Sequence, residues 1–173
     1  MRITEQLRHP ASVDVVFAML RDPAYQELRC VRSGSVKHEV TIEEPVDEAR
    51  DGPTVVTRRR MATDDFPDVV KSFIGRTVDI VETVSWGPPT ADGTREAGFT
   101  LSVEQTPVTL VGGVHIATED DHTVHTVDGE LNAHVPFIGG KIERSIGPVI
   151  ARTIEMEEQV GREWLEGQHS HRG

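Results

Sequence analysis

Glu82 is the residue with the sharpest chemical promise. In the run TVDIVETVSW a period of two puts it on one strand face with Val78, Ile80, Val84 and Trp86, so a carboxylate stands in an apolar row. If desolvated and unpaired, such a group would titrate high and could act as an acid, a base or a ligand anchor. The plainer alternatives are a solvent-facing row or a pairing with an arginine across the sheet. The run Arg58-Arg59-Arg60 offers that arginine. Strand alternation sends Arg59 one way with Val55, Thr57 and Met61, and sends Arg58 and Arg60 the other. An inward Arg59 would suit the carboxylate or phosphate head of an amphipathic ligand, because its fork binds such groups bidentately. The same residue would equally form a buried pair with Glu82 or Glu104.

Two histidines and one glycine-rich connection complete the candidates. His115 and His125 fall on neighbouring strands joined by a turn near Asp120-Asp121, and a tight hairpin is expected to point both to one face; His38 and His134 lie further away in sequence. Two imidazoles without a placed third ligand are a poor zinc signal, so no metal is expected and proton transfer is the chemistry left to them. Pro136-Phe137-Ile138-Gly139-Gly140 sets an apolar pair beside two glycines, a composition for a gate at a cavity mouth or for a plain strand-to-helix turn. No P-loop, dinucleotide fingerprint, HExxH, CxxC or GxSxG occurs in the sequence, which disfavours nucleotide, metalloprotease and serine-hydrolase chemistry and leaves no cofactor to expect. Cys30, in a helical stretch with Arg29 and Arg32 as its basic neighbours, is read as structural.

These residues need elements to hold them. A first strand over residues 2–9 ends at Pro10, and Ser12 is placed to cap a short helix through Leu20. Asp22-Pro23 restarts a second helix carrying Tyr25, Leu28 and Val31, which Gly34 ends. From Ser35 the period changes to two, with Val36, His38, Val40 and Ile42 on one face. Further strands are expected at about 54–62, 76–86, 96–105, 108–118 and 122–134, separated by turn signals such as Asp92-Gly93, with a helical turn or lid over 68–74. The stretch of about 137–166 returns to helical period, with Ile142, Ile146, Val149, Ile150, Met156 and Val160 in one stripe and a kink expected at Gly147-Pro148.

The 173 residues, with 36% hydrophobic and 27% charged, suit one domain over 1–166 followed by a flexible tail over 167–173. Aromatics at 5% mean that Val, Ile and Leu must fill most of the core. A formal charge of −11 argues against a nucleic-acid backbone as partner. No apolar run reaches the roughly 18–20 residues of a bilayer span, so no stable membrane insertion is expected. The start MRITEQLRHP lacks the layout of a signal peptide and a lone cysteine cannot form an internal disulfide, so a cytoplasmic location is expected.

One strand, two short helices, an antiparallel meander and a long C-terminal helix form an α+β layout in which a curved sheet wraps a helix. In that order of elements the chain resembles the START-like (SRPBCC) superfamily, the helix-grip fold, and within it an actinobacterial family known mainly as a domain of unknown function. The resemblance is carried by ITEQLRHPASVDVVFAMLRDPAYQ, by DDFPDVVKSFIG, and above all by DGELNAHVPFIGGKIE at 128–143. A lipocalin-like barrel is the alternative, but the two helices after the first strand count against its consecutive hairpins.

The resemblance implies a deep, mostly apolar cavity between the sheet and the long helix, used by relatives for lipids, sterols or polyketides. Its expected ligand-binding residues from the sheet are Val40, Arg59, Glu82, Trp86, Phe99, Leu101, His115 and His125. Phe137, Ile142, Ile146 and Ile150 are expected from the connection and the helix. Binding or transport of a hydrophobic small molecule is the leading expectation. The rivals are a polyketide cyclase or aromatase, with Glu82 and a histidine moving protons, and a protein-interaction module whose cavity is filled by its own side chains.

Overall fold

The computed structural model describes the backbone of residues 1–47, 50–64 and 66–170. After β1 (Arg2–His9), Pro10 interrupts the ladder, and α1 (Val13–Leu20) and α2 (Pro23–Arg32) follow without a strand between them. Asp22 caps α2 by accepting from the Ala24 amide at 2.8 Å, with Pro23 in the first helical turn, where a missing N–H costs nothing. Ser12 takes the extended cap conformation at the head of α1, but its side chain makes no capping hydrogen bond. That helix rests instead on the burial of Val13, Val16, Phe17, Met19 and Leu20.

The meander comprises β2 (Ser35–Glu43), β3 (Thr54–Ala62), β4 (Thr77–Trp86), β5 (Arg95–Val103), β6 (Val108–Glu119) and β7 (His122–Ala133), with α3 (Asp68–Ile74) between β3 and β4. The strands form one antiparallel sheet in the order β1-β7-β6-β5-β4-β3-β2. Only β1 breaks sequence order: it pairs with β7 at one edge, and α1 and α2 carry the chain to β2 at the other. The sheet comes especially close to itself between β6 and β7, where Gly112 faces Gly129. A Cβ on Gly112 would lie 2.0 Å from the Asp128 carbonyl oxygen, so no other residue fits that position.

The long helix α4 (Gly139–Ser170) lies against β1, β7, α2 and α3. Pro148 sits inside it and cannot donate to the Arg144 carbonyl. The helix runs through Ser170; of the tail expected over 167–173, residues 171–173 lie outside the described residues. Its ends are held differently from its middle. Ile142, Val160 and Leu165 are fully buried, whereas Val149, Ile150, Ile154 and Met156 are only half-buried. Trp164 packs edge-on against Tyr25 of α2, ring centroids 5.6 Å apart.

Two expectations about faces fail for local reasons. The buried face of α2 is Tyr25, Gln26, Arg29 and Cys30, with Leu28 packed against the core, and Val31 is exposed. Val36 is exposed too, because the β2–β3 pairing slips between Ser35 and Lys37 and takes it off the face it would otherwise share with Val40.

Candidate ligand cavity

The concave face of the sheet, α2, α3 and the middle of α4 enclose a cavity of about 440 Å³. Its sheet wall is apolar where Val55, Val84, Trp86, Phe99 and Leu101 point inward, and α4 adds Ile142, Ile146, Ile150 and Met156. Val70 and Ile74 of α3 also line it, so the helical turn expected over 68–74 exists and covers part of the space. Arg32, Gly34, Ala62 and Arg152 line the cavity and are exposed, which places its mouth between the end of α2, the end of β3 and the middle of α4.

A charged cluster is buried in this apolar wall. Glu82 projects from β4 with one carboxylate oxygen accepting from Arg29 of α2 and the other accepting from Arg59 Nη2 at 3.0 Å. Glu157 of α4 approaches the same group, with Oε1 3.6 Å from Arg29 Nε. Side-chain exposures of 8% for Arg29 and Glu82 and 4% for Arg59 leave these charges little solvent, so the opposite charges stabilise one another. Burial pushes the Glu82 carboxyl up, but Arg29 and then Arg59 outweigh it and hold the group below its usual range. Glu157 moves the other way. Its burial, aided by the negative charge of Glu82, raises it against the pull of Arg29 and Arg59. The buried Nε atoms of Arg29 and Arg59, Trp86 Nε1 and His125 Nδ1 have no hydrogen-bond partner among the described residues.

Behind the cluster, His125 of β7 lies 5.8 Å, ring centroid to centroid, from His9 of β1. Burial lowers both imidazoles, His125 to about 3 and His9 to about 4, so both are neutral at neutral pH. His9 is wedged against α4 at Gly161, where a Cβ would stand 2.8 Å from its Cε1.

Of the twelve residues the sequence singles out, nine line the cavity: Arg59, Glu82, Trp86, Phe99, Leu101, His125, Ile142, Ile146 and Ile150. Three do not. His115 faces Thr126 across β6–β7 while Ile116 faces His125, so the two histidines lie on opposite faces of the sheet, not on one. Val40 shares the inward face through its partner Thr57 but sits on the edge strand β2, against which α2 packs, outside the cavity wall. Phe137 is fully exposed at a φ of 68°, in the turn before α4, and Ile138 beside it is exposed. No residue of the connection from Pro136 to Gly140 lines the cavity.

The alternation in the arginine run holds. Arg59 turns inward to Glu82, while Arg58 pairs with Glu104 and Arg60 grips Asp79 with two 2.8 Å bonds on the outer face. Sequence reasoning missed Arg29 and Glu157, both half of the cluster. Helical spacing sets Arg29 on one face with Tyr25 and Gln26, and Glu157 with Thr153 and Val160, but that spacing alone does not tell a buried charge from a solvent-facing one.

Comparison with known proteins agrees with this architecture. An uncharacterised protein of Mycobacterium tuberculosis is 26% identical over 122 residues, 69% of this chain and 70% of that one. The solved STAR-related lipid transfer protein of Xanthomonas axonopodis superposes with a TM-score of 0.51 at 13% identity, over 90% of this chain and 85% of that one. The Zhui aromatase/cyclase of Streptomyces sp. R1128 gives 0.58 at 14% identity, over 93% and 90%. At such identities the likeness concerns the fold, which is the START-like helix grip: a curved antiparallel sheet closed by a long C-terminal helix. The profile of the family described as "Protein of unknown function (DUF2505)" matches residues 4–165, nearly the whole domain, and the chain belongs to that family.

Proposed function

We propose that the protein binds a hydrophobic or amphipathic small molecule in the space between the sheet and α4. The observation that carries this reading is the cavity itself: about 440 Å³, walled by Val, Ile, Leu, Phe and Trp side chains, with its buried charges gathered in one cluster and Arg32 and Arg152 at its mouth. Ligand sites characteristically combine an apolar lining with a few placed polar groups. An amphiphile would lay its tail along Ile142, Ile146 and Ile150 and turn its head toward Arg29 and Arg59. The structural neighbours include a lipid transfer protein and an aromatase/cyclase, and both names fit a cavity for apolar molecules.

The enzymatic reading is weaker at the residues that would have carried it. A good general base titrates near the working pH. His125 is depressed to about 3, and Glu82 is held below its usual range with both oxygens occupied by arginines. The reading of an interaction module filled by its own side chains is opposed by the open volume. Native mass spectrometry of gently purified protein, followed by solvent extraction, tests the proposal. A stoichiometric apolar molecule released on extraction is the expected result. Protein that is empty and also takes up no fatty acid, sterol or polyketide mimic would refute it.

A further inference from the structure

We propose that the charged end of the cavity receives the head of a singly negative amphiphile, a long-chain carboxylate being the simplest, and that Glu157 yields its place beside Arg29 to that head while taking a proton from solvent. The inference deepens the small-molecule reading above and rests on it.

The argument begins with hydrogen-bond capacity. Each oxygen of Glu82 accepts from the Nη2 of one arginine, and neither accepts from an Nε. The Nε atoms of Arg29 and Arg59 are left over, buried and without a hydrogen-bond partner among the described residues. A guanidinium N–H donates and never accepts, so only an acceptor can satisfy these atoms, and a carboxylate is acceptor-only. An alcohol or ester satisfies them less well. Glu157 is the internal group nearest to that role, yet its Oε1 stops 3.6 Å from Arg29 Nε, beyond hydrogen-bond reach.

Charge points the same way. Glu157 faces Tyr25, Arg29 and Cys30 of α2, Arg59 of β3 and Glu82 of β4, with His125 of β7 acting on Arg29 and Glu82. The raised carboxyl of Glu157 is the readiest in the cluster to protonate. With Glu157 protonated and His125 neutral, two arginines oppose one carboxylate, and one further negative charge restores balance. A ligand head of that charge supplies what Glu157 stops supplying. Glu157 is also the member best placed to move, since it sits on the half-buried middle of α4 with a side chain 14% exposed.

The test is calorimetric titration of the whole protein with palmitate and with hexadecanol, in two buffers of different ionisation enthalpy, for the natural protein and for Glu157→Gln. Palmitate should bind about tenfold or more tightly than hexadecanol. Its binding should carry proton uptake and weaken as pH rises, by up to about tenfold per pH unit. Glu157→Gln, which mimics the protonated acid, should keep the preference for palmitate while losing both the proton uptake and that pH dependence. Should the variant not fold, the two-buffer comparison on the natural protein decides alone. Hexadecanol bound as tightly as palmitate overturns the assignment of the head and leaves the cavity reading standing. A palmitate preference without proton uptake, or with the same pH slope in Glu157→Gln, overturns the role of Glu157. Binding of neither molecule overturns this inference, and the small-molecule reading then falls only if sterols and polyketide mimics fail to bind as well.

Discussion

Arg59 and Arg60 are adjacent in the sequence, and each holds a carboxylate of β4, yet they do so on opposite sides of one sheet. Arg60 grips Asp79 on the outer face, where its own side chain is 50% exposed and water competes for every bond. Arg59 meets Glu82 on the inner face, where side-chain exposures of 4% and 8% remove that competition. Identical chemistry therefore serves different ends. An exposed pair contributes little to stability because hydration and salt screen it. A buried pair is costly to assemble and still more costly to break.

Changing the shared anion inside should give the largest effect. Glu82→Ala leaves Arg29 and Arg59 buried around no carboxylate of β4 and should cost about 3–5 kcal/mol in urea unfolding. Arg59→Met should cost less, about 1.5–3 kcal/mol, because Glu82 keeps its bond to Arg29. The combined change of Arg29→Met, Arg59→Met and Glu82→Leu sharpens the contrast further. Well-packed apolar groups can replace a buried ion cluster at little cost, so stability should recover relative to Glu82→Ala. Any preference for an acid over its alcohol should vanish. Recovery of stability with the preference intact would show that the cluster is not the head site.

Acid should also separate the two faces. His9 and His125 fold with values of about 4 and about 3, below the roughly 6.5 of an unfolded histidine. Between those limits the unfolded chain binds more protons, so the stability these residues contribute is full above about pH 6.5 and is lost as pH falls toward 3. Glu157, raised by burial, opposes this trend in part. His9→Gln and His125→Gln should each remove about one proton from the slope of stability against pH near 5. Asp79, lowered by its hydrogen bond to Arg60, gives up its contribution only at lower pH, below the ordinary carboxylate range. The smallest effect belongs to the outer pair: Asp79→Asn should leave the urea midpoint nearly unchanged at neutral pH, and still less altered in high salt.

The inner half of this contrast was legible in the sequence to the extent that strand alternation reaches. A period of two set Arg59 on the opposite face from Arg58 and Arg60 and set Glu82 in an apolar row; the structure turns Arg59 and Glu82 to one inner face and Arg58 and Arg60 to the outer one. Alternation fixes a face only when register is known. The single step that pairs Ile116, rather than His115, with His125 put His115 on the other side. The helical members were harder to see. Arg29 and Glu157 look like solvent-facing charges until their partners are known: for Arg29 it is Glu82 of β4, and for Glu157 it is Arg29 itself, more than a hundred residues earlier in the chain. Val40 and Phe137 show the remaining limit. An apolar residue on a suitable face is not thereby in the cavity, since an edge strand and a turn lie outside what α4 can cover.

A crystal structure of the palmitate complex tests the two-faced reading of the sheet most directly. The carboxylate should lie within hydrogen-bond distance of Arg29 and Arg59, with the tail against Ile146 and Ile150 and Glu157 displaced from Arg29. A cavity closed by its own side chains, or a head resting at the mouth beside Arg152 with the inner cluster unchanged, would contradict it.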